Sequence, residues 1–242
     1  VNILPITAEE KVTAMLRVPD FGEDKYFLCM ATKNGVIKRT ELDAYKNIRK
    51  SGIIAINLDE GDELAYVMHT HGECEVIIAT RNGAAVRFTE QNVRPMGRNA
   101  RGVRAINMRE GDSVIDMAIT DENTKILTVT ETGYGRISSI ADYRLQSRGG
   151  KGLTNYRVDK YGKVAAVLVI GENDDIVMIA SNGIIIRIFS GDISCFARSN
   201  SCNSLKPLLA CGCAPPKKLN PIIGSAICAI IPQIKGRGYL PD

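Results

Sequence analysis

Apolar and polar residues alternate in short runs along most of this chain, and glycine-bearing turns separate the runs. The clearest unit extends from Lys125 to Ile170. It opens on Lys125-Ile-Leu-Thr-Val-Thr130, turns at Thr132-Gly133, and continues through Gly135-Arg136-Ile137 into a basic loop, Gln146-Ser147-Arg148-Gly149-Gly150-Lys151-Gly152. Leu153 to Val158 form a third run, Asp159-Lys160-Tyr161-Gly162 a second turn, and Lys163 to Ile170 a fourth run. Alternation of period two, bounded by turn residues, is the signature of a half-buried strand. The unit therefore predicts a small four-stranded antiparallel sheet.

This unit recurs upstream. Its first glycine reappears at Gly35, Gly83, Gly133 and Gly183, spaced by 48, 50 and 50 residues. A second recurs at Gly52, Gly102 and Gly152, and a third at Gly61, Gly111 and Gly162. Glycines held in phase mark backbone positions that a side chain would strain, and a period near fifty residues with four strands per unit predicts propeller blades. Asn34-Gly35 and Asn82-Gly83 are hairpin signals because both residues tolerate positive φ. Asp59-Glu60-Gly61-Asp62 and Arg109-Glu110-Gly111-Asp112 make the next hairpin.

The phase divides the chain into blades at 21–70, 71–120 and 121–171. Residues 1–20 read as the second half of a truncated blade, with Val1-Asn2-Ile3 standing where Ala55-Ile56-Asn57 stands, and the start lacks an initiator Met. The expectation is a piece of a larger protein with at least one further repeat upstream. Residues 172–198 begin a last blade. Residues 199–242 break the pattern: Ser201-Cys202-Asn203 replaces the second glycine, and no Asp or Glu occurs from Ile193 to Pro241. Five of the seven cysteines lie between Cys195 and Cys228, and Pro215-Pro216 and Pro221 interrupt any strand. This tail is expected to be poorly folded, to make no blade, and to leave apolar runs such as Ile227 to Ile231 exposed or packed non-specifically.

Composition narrows the class. At 242 residues, 45% hydrophobic and 24% charged, the chain can bury a sizeable all-β core. Trp is absent and aromatics are only 5%, so the core must be built from Ile, Val, Leu, Ala and Met. No apolar run is long enough to span a bilayer and no signal peptide is visible, which predicts a cytoplasmic protein with no membrane partner.

Catalytic chemistry is not visible. No Ser-His-Asp set, carboxylate pair or phosphate loop stands out, and Gly149-Gly150-Lys151-Gly152 lacks the strand-to-helix context that a phosphate loop needs. His69 and His71, with only Cys74 nearby, read as loop residues, and Cys202, Cys211 and Cys213 as free thiols in a reducing compartment. No metal or other cofactor is expected in this segment.

Charge placement says more than the net charge of +4. Cations gather in the second and third runs of each unit: Lys38, Arg39, Lys46, Arg49 and Lys50; then Arg87, Arg94, Arg98, Arg101 and Arg104; then Arg136, Arg144, Arg148, Lys151 and Arg157. Acids gather at the other turns. Stacked repeats would align the cations into a stripe suited to duplex DNA, with glycines beside Arg148 and Lys151 letting backbone amides approach phosphate. Solvated loop charges are the bland alternative. No aromatic is interleaved for single-strand stacking.

At these residues a family resemblance emerges. Gln146 to Gly152 is similar to the glycine-basic box of the DNA gyrase A subunit, with Ser147 where a basic residue is usual. Ala31-Thr32-Lys33-Asn34-Gly35, Val93-Arg94-Pro95-Met96-Gly97 and Thr132-Gly133-Tyr134-Gly135 resemble the carboxy-terminal domain of that protein, as does the chain from Val1 to Arg198. The resemblance implies an all-β, six-bladed β-pinwheel, here an incomplete set of four-stranded blades that exchange strands. It implies non-sequence-specific wrapping of duplex DNA in support of ATP-dependent negative supercoiling. The partners would be the gyrase B subunit plus the rest of the gyrase A subunit, with the cleavage tyrosine, the ATP and the Mg lying outside this chain. DNA contacts would come from Arg148, Lys151, Gln146, Gly149, Gly150, Gly152, Arg144, Arg136, Lys38, Arg39, Lys46, Arg49, Lys50, Arg87, Arg98, Arg101 and Arg104. The topoisomerase IV A subunit is the near alternative, and a protein-binding propeller the alternative from another class.

Overall fold

The structure, a computed structural model, describes residues 12–18, 26–49, 52–171, 173–179 and 183–193 and the backbone of 227–231. The first repeat supplies β1 (Phe27–Thr32), β2 (Val36–Glu41) and β3 (Leu64–Thr70). The second supplies β4 (Glu75–Thr80), β5 (Ala84–Thr89), β6 (Val103–Arg104) and β7 (Val114–Thr120). The third supplies β8 (Lys125–Thr130), β9 (Gly135–Ser139), β10 (Leu153–Thr154), the one-turn helix α1 (Val158–Tyr161) and β11 (Val164–Ile170). β12 (Asp175–Ile179), β13 (Ile185–Phe189) and β14 (Ile227–Ile231) follow. All named pairings are antiparallel, as the alternation predicts.

Two compact units result: residues 1–121 with 143–156, and residues 122–142 with 157–242. The first unit contains two four-stranded sheets, ordered β3-β1-β2-β6 and β10-β5-β4-β7. In each sheet one outer strand comes from the following repeat: β6 pairs with β2, and β10 pairs with β5. Strand exchange is therefore why 143–156 belongs to the first unit. The second unit contains the three-stranded sheets β11-β8-β9 and β13-β12-β14.

The exchanged strands explain one phased glycine. Gly102 and Gly152 have φ of +106° and +74°, and a Cβ at either would lie 2.7 Å from the Ile37 carbonyl oxygen or 2.6 Å from that of Ala85. Both the left-handed backbone and the approach to the neighbouring strand exclude a side chain. The first-turn glycines are also left-handed, but the structure corrects the reading of the preceding asparagines. Among the described residues no non-glycine has positive φ, so Asn34 and Asn82 keep ordinary backbone angles. Gly35 N–H instead closes onto the Thr32 carbonyl at 3.1 Å, and Asn34 N–H donates to the Asp62 carboxylate at 3.0 Å. In the second repeat, Gly83 N–H donates to the Thr80 carbonyl and Asn82 N–H to Asp112 at 2.9 Å. The acids of the second hairpin thus brace the first. The preceding threonines are a phased signal that the glycines hide: Thr32 Oγ1 accepts from Val36 N–H, Thr80 Oγ1 from Ala84 N–H and Thr130 Oγ1 from Tyr134 N–H, each at 3.2 Å.

The core of the first unit joins its two sheets through Cys29, Ala31, Ile37, Val76, Ile78, Val86, Phe88, Val93, Ala105, Ile106, Val114 and Met117. Ala105 and Ile106 follow the exchanged strand β6 into this core, so the strand carries apolar burial as well as backbone pairing. Full burial of a side chain of this size stabilises by roughly 1.5–3 kcal/mol. In the second unit Leu127, Val129, Ile137, Ile170, Ile176, Ile188 and Ile193 pack together.

Two sequence expectations concern the ends. Residues 12–18 contain no strand, and the rest of the expected half-blade lies outside the described residues. Most of the atypical tail also lies outside them. Ile227–Ile231 is the described part, and it corrects the expectation for that run. It pairs with β12 from Asp175↔Ile231 to Ile179↔Ile227, in the place that β3 holds beside β1. Five consecutive apolar residues satisfy the backbone groups of an otherwise open edge.

Candidate nucleic-acid interface

In the first unit, backbone bonds with the period of the repeat join the glycine loops of three repeats, residues 46–49 with 52–57, residues 94–107 and residues 144–156. Asn57 N–H donates to the Ala100 carbonyl at 3.3 Å, and Asn107 N–H to the Gly150 carbonyl at 2.8 Å. The box is anchored twice more, by Gly149 N–H on the Ala105 carbonyl at 2.6 Å and Gln146 N–H on the Arg87 carbonyl at 2.8 Å. Gly150 is exposed, whereas Gly149 and Gly152 are half-buried. Glycines let these loops pass within hydrogen-bonding distance of each other.

Cations that one sequence pattern groups together separate in the structure. Lys46, Arg49, Arg101, Arg104, Arg144 and Lys151 are exposed, as is Arg94. Of these, Arg101, on the second loop, pairs with Asp59, just beyond the end of the first, at 2.9 Å. Lys46, Arg49 and the half-buried Arg98 border an open groove shared with Gly52, Ile54 and Asn99. Lys50 lies outside the described residues.

The remaining predicted contacts are placed for structural work. Lys38 is fully buried, and its ammonium donates to the Ala55 carbonyl at 2.6 Å and to the Arg98 carbonyl. Arg39, 7% exposed, lies over the Phe27 ring at 4.5 Å and 3.5 Å from the buried Glu90 carboxylate. Arg87 is half-buried; its Nε donates to Glu75 at 2.7 Å and its Nη1 to the Tyr143 carbonyl at 3.1 Å. Arg136 is buried in the second unit, and Gln146 carries a buried side-chain amide nitrogen. Arg148 donates to the carbonyls of Asn92 at 2.9 Å and Arg104 at 3.2 Å. For Lys38, Arg39 and Arg136 the expectation of a phosphate contact is corrected, because strand positions facing the interior keep these side chains from solvent. Alternation of types could not reveal this, since each of the three lies in a run that reads as half exposed.

Titration follows the same division. Burial, with Arg98 adding repulsion, pushes the Lys38 ammonium down to about 8. Burial pushes the Cys29 thiol up to about 12, beside Thr70, with Glu90 adding to the rise. His71 meets Cys74 Sγ at 3.3 Å, while His69 lies in β3 opposite Leu28, not in the loop expected for it, and packs edge-on to Tyr26. Among the described residues no group of three His, Cys, Asp or Glu side chains is arranged to hold a metal, and no helix is long and apolar enough to cross a membrane.

Known proteins share this repeat. The family model of the DNA gyrase C-terminal domain, a beta-propeller, matches residues 26–71, 75–121 and 124–170. This chain belongs to that family. Over 102 residues it is 51% identical to the DNA gyrase A subunit of Clostridium acetobutylicum and 48% identical to that of Halalkalibacterium halodurans. Each match covers 42% of this chain and 12% of the relative's length. Among solved structures, the C-terminal domain of DNA topoisomerase IV resembles it with a TM-score of 0.74 and 27% identity, over 81% of this chain and 62% of that one. The DNA gyrase A C-terminal domain does so with a TM-score of 0.63 and 26% identity, over 72% and 59%. Membership of the gyrase family makes the all-β blade reading a statement about this chain, with exchanged outer strands in the two sheets of its first unit.

Proposed function

We propose that this chain binds and wraps duplex DNA without sequence preference, as part of a cytoplasmic gyrase A subunit whose negative supercoiling it supports. The observation that carries this reading is the row of exposed cations on three cross-bonded loops of one unit, led by Lys46, Arg49, Arg101, Arg104, Arg144 and Lys151. Such groups neutralise phosphates and read no bases. The gyrase B subunit, with the rest of the A subunit, would supply cleavage, ATP and Mg; this chain's share is binding. The topoisomerase IV likeness favours a second reading, the same role in that enzyme's A subunit, but the sequence relatives and the box at Gln146 to Gly152 support gyrase.

A titration of duplex DNA at increasing salt tests the proposal. If about five phosphates are neutralised, log affinity should fall against log salt with a slope on the order of −4 to −5, alike for unrelated sequences. A slope near zero would instead indicate a protein-binding propeller.

A further inference from the structure

Lys38 stands in the middle of β2, where the repeat places Val86 in β5 and Arg136 in β9. Val86 is fully buried in the core, so a blade has no need of a cation at this position. Burying an ammonium is unfavourable unless its donors are satisfied. Here they are satisfied by carbonyls of two different loops, Ala55 in the first and Arg98 in the second. Ala100, two residues beyond Arg98, accepts the backbone bond from Asn57, two residues beyond Ala55. The side chain therefore bridges the loops from beneath, beside the backbone bond that joins them. The next junction is bridged differently: Arg148, itself in the third loop, reaches the Arg104 carbonyl of the second. Each pair of adjacent loops thus has one cation whose donors serve carbonyls.

We infer that Lys38 is a positioning residue of the nucleic-acid interface, a staple that sets the spacing between the first two basic loops without touching DNA itself. The inference rests on the DNA-binding reading for its consequence but on loop geometry for its substance. Lys46 and Arg49 lie on one stapled loop and Arg101 and Arg104 on the other. A fixed spacing presents both sets to consecutive phosphates without the cost of ordering the loops on binding.

The test uses the full chain and Lys38→Met, which keeps the stem and removes the donors. Exchange of the Asn57 amide, bonded across the loops, should accelerate about tenfold, whereas amides of β4 and β5 should be unchanged. Affinity for a short mixed-sequence duplex should fall by about the same factor with its salt slope unchanged. A direct phosphate contact would instead lower the slope by about 1, as Arg49→Ala should. Unchanged Asn57 exchange, or a lowered slope for Lys38→Met, overturns the staple. Accelerated exchange in a protein whose wild type binds no duplex supports the staple and defeats the DNA reading alone. Should Lys38→Met not fold, the wild-type ammonium resonances decide. Lys38 should exchange slowly with solvent and keep its shift when duplex is added, while Lys151 moves; a Lys38 shift as large as that of Lys151 overturns the inference.

Discussion

Two regions of the first unit carry the same residue types to opposite ends. In the inner hairpins β1-β2 and β4-β5, Lys38, Arg39 and Arg87 lie against carbonyls, Glu90 and Glu75, and an aromatic ring. In the outer loops, Lys46, Arg49, Arg144 and Lys151 face water. A buried charge persists only where the fold supplies fixed partners, whereas an exposed one is held by little and remains available to a ligand. Cations in a basic repeat thus divide into those that the fold holds by fixed partners and those that it leaves facing water.

Removing a partner from the inner region should have the largest effect. Glu90 is fully buried, accepts from Cys74 N–H at 2.8 Å and from the Thr70 hydroxyl, and faces Arg39. Glu90→Ala should cost about 3–5 kcal/mol in urea unfolding followed by circular dichroism, because it strands a buried guanidinium. A cost below about 1 kcal/mol would mean that Arg39 finds water.

The junction of the two regions comes next. Gly152→Ala places a methyl against the Ala85 carbonyl on a left-handed backbone and should cost about 3 kcal/mol. Gly52→Ala meets the same φ penalty, at +78°, with no heavy atom within 4 Å, and should cost about 1 kcal/mol. Equal losses would show that strand exchange adds nothing to the demand for glycine.

A smaller effect follows from Lys38. Its folded value near 8 lies below its ordinary 10.5, so between these limits the unfolded chain binds more protons and stability rises with pH. Relative to Lys38→Met, the wild type should gain at most about 1.4 kcal/mol per pH unit above pH 8. A stability difference that stays flat from pH 7 to about 10 would contradict the depressed value.

The outer region should affect the fold least. Arg144→Ala with Lys151→Ala should change stability by no more than about 0.5 kcal/mol while lowering the salt slope of DNA binding by about 2. A large stability loss with unchanged slope would move these two residues into the structural class.

Alternation and phased glycines determined the hairpins β1-β2, β4-β5 and β8-β9, their antiparallel pairing and the positions of left-handed backbone, with Gly35, Gly83 and Gly133 all near φ +80°. Those signals are local, a period of two and an absent side chain, and so are written in the chain itself. The expected third run fails, being absent as a strand from the first repeat and cut to Leu153–Thr154 in the third, where Val158 begins α1. The candidate site was legible only in part. Arg144 and Lys151 are exposed, yet Lys38 and Arg39, adjacent in one basic run, are buried. Tertiary structure alone decided which repeat completes each sheet, that Asp62 braces the turn of Asn34, and that Ile227–Ile231 lies along β12. The physical reason is distance along the chain. Strand exchange and buried charge depend on partners tens of residues away, and only the packed repeats determine whether a cation meets a carbonyl or water.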